Sequence, residues 1–152
     1  MSADFGQLFR DLAVGLAPNF SFMVPNQCHD PHARGATEAG TGCSVDTNDI
    51  IQGDAAMSNI VSAIKSSPVW KNSERHSAIV IVWDENDYTN VYNDNRVVAT
   101  VETNYRTSAR ITSANPYNHF SLLRSIEAGS GLGCLNHACD KDTALMTDLF
   151  SY

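Results

Sequence analysis

An α/β fold, built on a mostly parallel sheet flanked by helices, is what this sequence predicts, and three observations predict it. The run Ala-Ile-Val-Ile-Val-Trp at residues 78–83 is apolar and largely β-branched without alternation, the pattern of a strand covered on both faces in a parallel sheet. Met57, Ile60, Val61 and Ile64 recur at the spacing of a helix with one buried face. Further helical patterns alternate with apolar runs along the chain, which is the order from which layered α/β sheets are built.

The elements follow in order. Ser2 is a cap residue ahead of Asp4, Phe5, Leu8, Phe9 and Leu12, whose spacing predicts an amphipathic helix ending near Gly15. Residues 20–24, Phe-Ser-Phe-Met-Val, are short, mostly apolar and stopped by Pro25, so they read as a strand. Residues 26–48 are polar, glycine-bearing and aperiodic. A loop of that length inside a domain is uncommon unless it is functional or stapled, and Cys28 and Cys43 lie within it. The second helix runs from Asp54 and is terminated by Ser66, Ser67 and Pro68. After the 78–83 strand, residues 96–101 form a weaker one. Asn115 and Pro116 then open a helix carrying Leu122, Leu123 and Ile126, which ends at Gly129 and Gly131. The remainder, 133–152, is a loop followed by a short terminal helix.

Composition bounds the function. The 152 residues carry 10 Lys plus Arg against 17 Asp plus Glu, a formal charge of −7, which excludes a basic nucleic-acid surface. The length predicts a single domain over residues 1–152 with a real core. At 43% hydrophobic and 18% charged the chain lies outside the disordered range, and its longest unbroken apolar run is far too short to span a bilayer, so a soluble folded protein without a transmembrane segment is expected. Residues 1–10 lack a basic start followed by an apolar stretch, so no signal peptide is expected. The four cysteines, Cys28, Cys43, Cys134 and Cys139, fall into two sequence-local pairs, which suggests disulfides and an oxidising compartment. Two resolutions of that conflict stand: a cytosolic protein with free thiols, or a fragment whose secretory start lies elsewhere in the gene. The second is favoured.

Two apolar runs lead straight into dense polar clusters. Residues 20–24 precede Asn26, Gln27, His29, Asp30 and His32, and residues 78–83 precede Asp84, Glu85, Asn86 and Asp87. In open α/β sheets ligands bind beyond the carboxyl ends of the strands, so clusters on neighbouring parallel strands would converge on one crevice. Asp, Glu, Asn and His form the ligand set of a divalent cation. Asp and Asn also favour turns, so plain hydrophilic loops are the competing reading.

The stretches PNQCHDPH at 25–32, VWDENDY at 82–88, YNHFSLLRSIEAG at 117–129, CLNHACD at 134–140 and MTDLF at 146–150 occur in one order. Together they resemble the C-terminal part of the bacterial phosphoesterase family, which holds phosphatidylcholine-type phospholipases C and related acid phosphatases within the alkaline-phosphatase-like superfamily. The resemblance covers nearly the whole chain from about Asn19 onward. It departs mildly from the family pattern at Ala33, where a glycine is usual, and at Gly133, where a proline is usual.

That resemblance implies a partial alkaline-phosphatase-like domain and hydrolysis of phosphate mono- or diesters, a phospholipid headgroup among them, with a divalent metal as cofactor. Asp84 and Glu85 match the acidic pair that follows a core strand and ligates the metal. Asp30 and His32 match the family's Asp-x-His element, with His32 approaching the substrate phosphate as hydrogen-bond donor or general acid; for His29 a solvent-facing loop position is expected. His119 matches the histidine that opens a helix, and its place before Leu122 and Leu123 favours a packing or supporting role over direct catalysis. The Cys-x-x-His-x-Cys run at 134–139 has a spacing unlike common structural zinc sites, so a Cys134–Cys139 disulfide is expected, and a Cys28–Cys43 pair beside it. The family works mostly in the periplasm or outside the cell. Its nucleophilic hydroxyl and first metal ligands belong to an N-terminal half not found in these residues, so the isolated chain is expected to be weak or inactive until such a half on another segment completes it. A non-catalytic truncated homologue that binds a metal or an anion is the alternative.

Overall fold

The structure is a computed structural model, and it describes residues 5–26, 49–86, 94–105 and 110–150. The chain divides into two compact units, residues 1–77 and 78–152, each with its own small core.

The first unit is helical. Helix α1, Phe5–Ala13, buries Leu12 and half-buries Phe5 and Leu8 along one stripe, as its periodicity predicts. It stops at Gly15, whose φ of 74° is the left-handed conformation that a side chain resists; there the Leu16 amide reaches back to the Asp11 carbonyl at 2.8 Å. Helix α2, Asp49–Ser66, starts a turn earlier than its apolar pattern and buries Ile60. Ser67 ends it and begins the next element. Its hydroxyl donates to the Ile64 carbonyl at 2.6 Å and accepts from the Trp70 amide at 3.2 Å, capping helix α3, Pro68–Lys71, with Pro68 in the first turn where its missing N–H costs nothing.

The second unit opens with β1, Ala78–Val82, paired to β2, Ala99–Thr103. The pairing is antiparallel, with Ala78 opposite Thr103 and Val82 opposite Ala99, and these two strands are the whole sheet among the described residues. This corrects the expected parallel sheet. An apolar β-branched run defines a strand but not the direction of its partner, which the ladder with β2 sets. The Trp83 amide bonds the Val98 carbonyl at 3.2 Å and the Asn86 amide bonds Asn95 Oδ1 at 3.0 Å, carrying the same register past the strand ends; Asn95 takes φ 45°, which asparagine tolerates. Nor is β1 covered on both faces: Ile79 is buried, but Val80, Ile81 and Val82 are half-buried and Ala78 is exposed.

Helix α4, His119–Gly129, is capped by Asn118, whose side chain accepts the Ser121 amide at 2.9 Å while Ser121 Oγ accepts the Asn118 amide at 3.3 Å. A short 3₁₀ turn, Asn136–Cys139, buries Ala138 completely, and helix α5, Thr147–Phe150, follows the buried Met146. The polar side of α4 holds this tail. Arg124 donates to the carbonyls of Asp140 and Thr143, and Ser125 Oγ accepts the Met146 amide at 2.9 Å.

The expected strand at 20–24 is not formed: the segment has no regular secondary structure, with Phe22 80% exposed. An alternating apolar pattern supplies a face, but a strand exists only through a ladder, and no described strand joins this one. The expected loop at 27–48 lies outside the described residues.

Candidate active site

Beyond Val82 the side-chain alternation of β1 is broken, and Asp84 and Glu85 turn out to solvent on a bend. Asp84 Oδ1 accepts the Glu85 amide at 3.0 Å, so the side chain satisfies a backbone donor just past the strand end. Asn86 comes next. Its Oδ1 is buried and has no hydrogen-bond partner, although its backbone is tied to Asn95. A buried amide oxygen without a donor is costly, and here it directly follows two exposed carboxylates. Hard oxygen donors of this kind are what magnesium, calcium and manganese take, so the residues present fit part of a divalent cation's ligand set. Among the described residues no group of three or more His, Cys, Asp or Glu gathers for a metal.

His119 meets this turn. As the first residue of α4 it is exposed, while Ser121 and Glu127 hold the buried positions of the helix. Its Nε2 lies 2.7 Å from the backbone carbonyl oxygen of Asp84. A carbonyl only accepts, so Nε2 carries the proton, and in the neutral ring Nδ1 keeps its lone pair. The capping box that starts α4 therefore also sets the angle at which an imidazole approaches the acidic turn.

Behind His119 lies a polar cluster that sequence patterns did not reveal. Asp148, in α5, accepts hydrogen bonds from Ser113 Oγ at 2.6 Å, Tyr117 Oη at 2.6 Å and Asn115 Nδ2 at 3.0 Å. The Ser113 and Tyr117 hydroxyls hold the Asp148 carboxyl below the usual carboxylate range. Desolvation, followed by the hydrogen bond to Asp148, pushes the Tyr117 phenol up. The one available signal was that Tyr117 and Asp148 each sit in a motif, YNH and MTDLF, more than thirty residues apart.

Cys134 and Cys139 form the expected disulfide, with a Cα–Cα distance of 5.3 Å. Both sulfurs are thereby removed from any zinc site, and His137 between them instead places Nδ1 2.9 Å from Asp140 Oδ2 and sets its ring edge-on to Phe120. Asp30 and His32, with His29, Cys28, Cys43 and Asp87, lie outside the described residues. No helix among the described residues is long and apolar enough to cross a membrane.

Comparison with known proteins adds one match and two blanks. Residues 1–133 match the phosphoesterase family. No curated protein and no solved structure matches the chain. The matched span contains Asp84, Glu85, Asn86 and His119, and it ends before the disulfide-bonded turn and α5.

Proposed function

Because the chain belongs to the phosphoesterase family, whose general chemistry is hydrolysis of phosphoester bonds, we propose that it supplies the acidic turn of a phospholipase C or acid phosphatase type enzyme acting on phosphate mono- or diesters. The observation that carries this reading is the juxtaposition at the end of β1: two exposed carboxylates, an orphaned amide oxygen and an imidazole held on the Asp84 carbonyl. Asp84 and Glu85, with Asn86 Oδ1, are the residues that would hold a divalent metal. Bound there, the metal supplies charge for the phosphoryl oxygens and lowers the barrier to attack on phosphorus.

The chain's own residues do the rest of what is proposed for it. His119 fixes the turn through its Nε2–H, and Asp84 Oδ1 holds the Glu85 amide. His32, of the Asp30-x-His32 element, delivers a proton or hydrogen bond to the leaving oxygen. The attacking hydroxyl comes from an N-terminal half on another segment, since no Ser or Thr of this chain stands in a recognisable nucleophile motif, and the chain by itself turns over weakly or not at all. The Cys134–Cys139 disulfide supports a place outside the cytoplasm, in the periplasm or secreted.

Hydrolysis of a nitrophenyl phosphate ester with added manganese, calcium or zinc tests the reading. In the completed enzyme Asp84→Asn weakens the metal and cuts turnover, and His32→Ala cuts turnover with the metal retained. Turnover unchanged in Asp84→Asn would show that the acidic turn is not the metal site, and vigorous turnover by the chain alone would show that the nucleophile is already present in it.

A further inference from the structure

We infer that Asp148 is a positioning residue for this site: by accepting hydrogen bonds from Ser113, Asn115 and Tyr117 it holds the segment 113–118 so that His119 meets the Asp84 carbonyl and fixes the acidic turn. The inference deepens the proposed function and rests on it for the meaning of the turn, and it brings into the site a residue outside the matched family span.

The geometry forms a continuous chain of contacts. Helix α5 is anchored independently of Asp148, because the Tyr105 hydroxyl donates to the Phe150 carbonyl at 2.8 Å and so ties the end of β2 to the helix. From that anchor the Asp148 carboxylate gathers Ser113 and Asn115 on one oxygen and Tyr117 on the other. The Asn115 side chain also reaches the Tyr117 hydroxyl at 3.2 Å, so the segment is braced internally as well as at α5. Tyr117 is followed by Asn118, the N-cap of α4, and then by His119. Displacement of residue 117 is therefore transmitted to the helix start and the imidazole within two residues. Three donors converging on one carboxylate restrain residues 113, 115 and 117 against α5.

Nuclear magnetic resonance of the full chain carrying ¹⁵N-histidine tests this in mildly alkaline buffer. In the wild type the His119 ring shows a protonated Nε2 and a bare Nδ1. In Asp148→Ala that signature collapses toward the averaged tautomers of free imidazole, and the backbone amides of Glu85 and Asn86 shift. Asp148→Asn, which keeps one acceptor oxygen, falls between. A His119 ring and Glu85 and Asn86 amides unchanged in Asp148→Ala would overturn the inference. Should Asp148→Ala lose dispersion throughout the spectrum, Tyr117→Phe and Ser113→Ala decide the matter, since each removes a single hydroxyl: shifted His119 resonances support it and unshifted ones end it. Manganese added to the same samples separates the two claims. Broadening centred on Asp84 and Glu85 with roughly tenfold weaker affinity in Asp148→Ala is the expected pattern, in line with the cost of removing outer partners of a metal site. A wild-type chain that takes up no manganese would remove the functional reading, while the ring signature would still decide the positioning role.

Discussion

Glu127 sits in α4 with only 4% of its surface exposed; one carboxylate oxygen accepts the Leu135 amide at 3.1 Å and the other has no partner. The paired oxygen is the useful one. Glu127→Gln keeps an acceptor for Leu135, so its unfolding free energy should stay within about 1 kcal/mol of the wild type, whereas Glu127→Ala orphans the Leu135 amide and should cost about 1–3 kcal/mol in urea unfolding. Asp148 gives a prediction in pH. Its carboxyl is held below the ordinary aspartate range by the Ser113 and Tyr117 hydroxyls, so its contribution to stability is fully present above the pKa of the unfolded chain and is lost as pH falls through the lower folded value. Melting temperatures of wild type and Asp148→Asn should therefore differ most near neutrality and converge in acid; a gap that persists at low pH would mean that the carboxylate charge contributes nothing. Neither Glu127 nor Asp148 was legible as a structural centre in the sequence. Glu127 is one residue past an apolar triplet, and Asp148 finds its donors more than thirty residues away, a pairing that no local pattern encodes. Asp84 and Glu85 were legible, because a β-branched run that ends in consecutive acids announces both the strand end and the exposed turn.

At the scale of elements, the longer helices came through the sequence, while α3 and the sheet's direction did not. The periodicities of α1, α2 and α4 mark faces that the helix itself defines, and the breaks at Gly15, Ser67 and Gly129 are local chemistry. Strand direction and partner are not local. The run at 78–82 fits a central parallel strand as well as the antiparallel strand it forms, and what decides between them is the pairing with β2, continued past the strand ends by the Trp83–Val98 and Asn86–Asn95 bonds. Residues 20–24 mislead for the same reason. Ser67 joins two elements through one hydroxyl, so Ser67→Ala should cost about 1–2 kcal/mol, read as a lower urea midpoint with an unchanged slope. The Cys134–Cys139 link closes a loop of short span, with a sequence separation of 5, so replacing both cysteines by serine should cost about 2 kcal/mol. Far-ultraviolet circular dichroism should stay that of the wild type, because α4 and β1 with β2 are held by their own bonds.

For the molecule as a whole, the described residues form two compact units, and everything argued for the acidic turn lies in the second. That unit suits the proposed phosphoester chemistry for a physical reason beyond family membership. It sets exposed carboxylates at the end of a hydrogen-bonded strand pair, steadies them by an imidazole on a capped helix, and braces that helix through the tail. A net charge of −7 sharpens the point: a phosphate ester is repelled by such a protein unless a cation intervenes, so the proposed metal also answers the electrostatics of substrate approach. The most direct measurement is calorimetric titration of manganese into the chain beside the double variant Asp84→Asn, Glu85→Gln, with circular dichroism confirming that both are folded. Saturable binding by the wild type, weakened at least about tenfold in the double variant, is the predicted result. Equal binding by the two, or none by the wild type, would contradict the assignment of this turn to the metal.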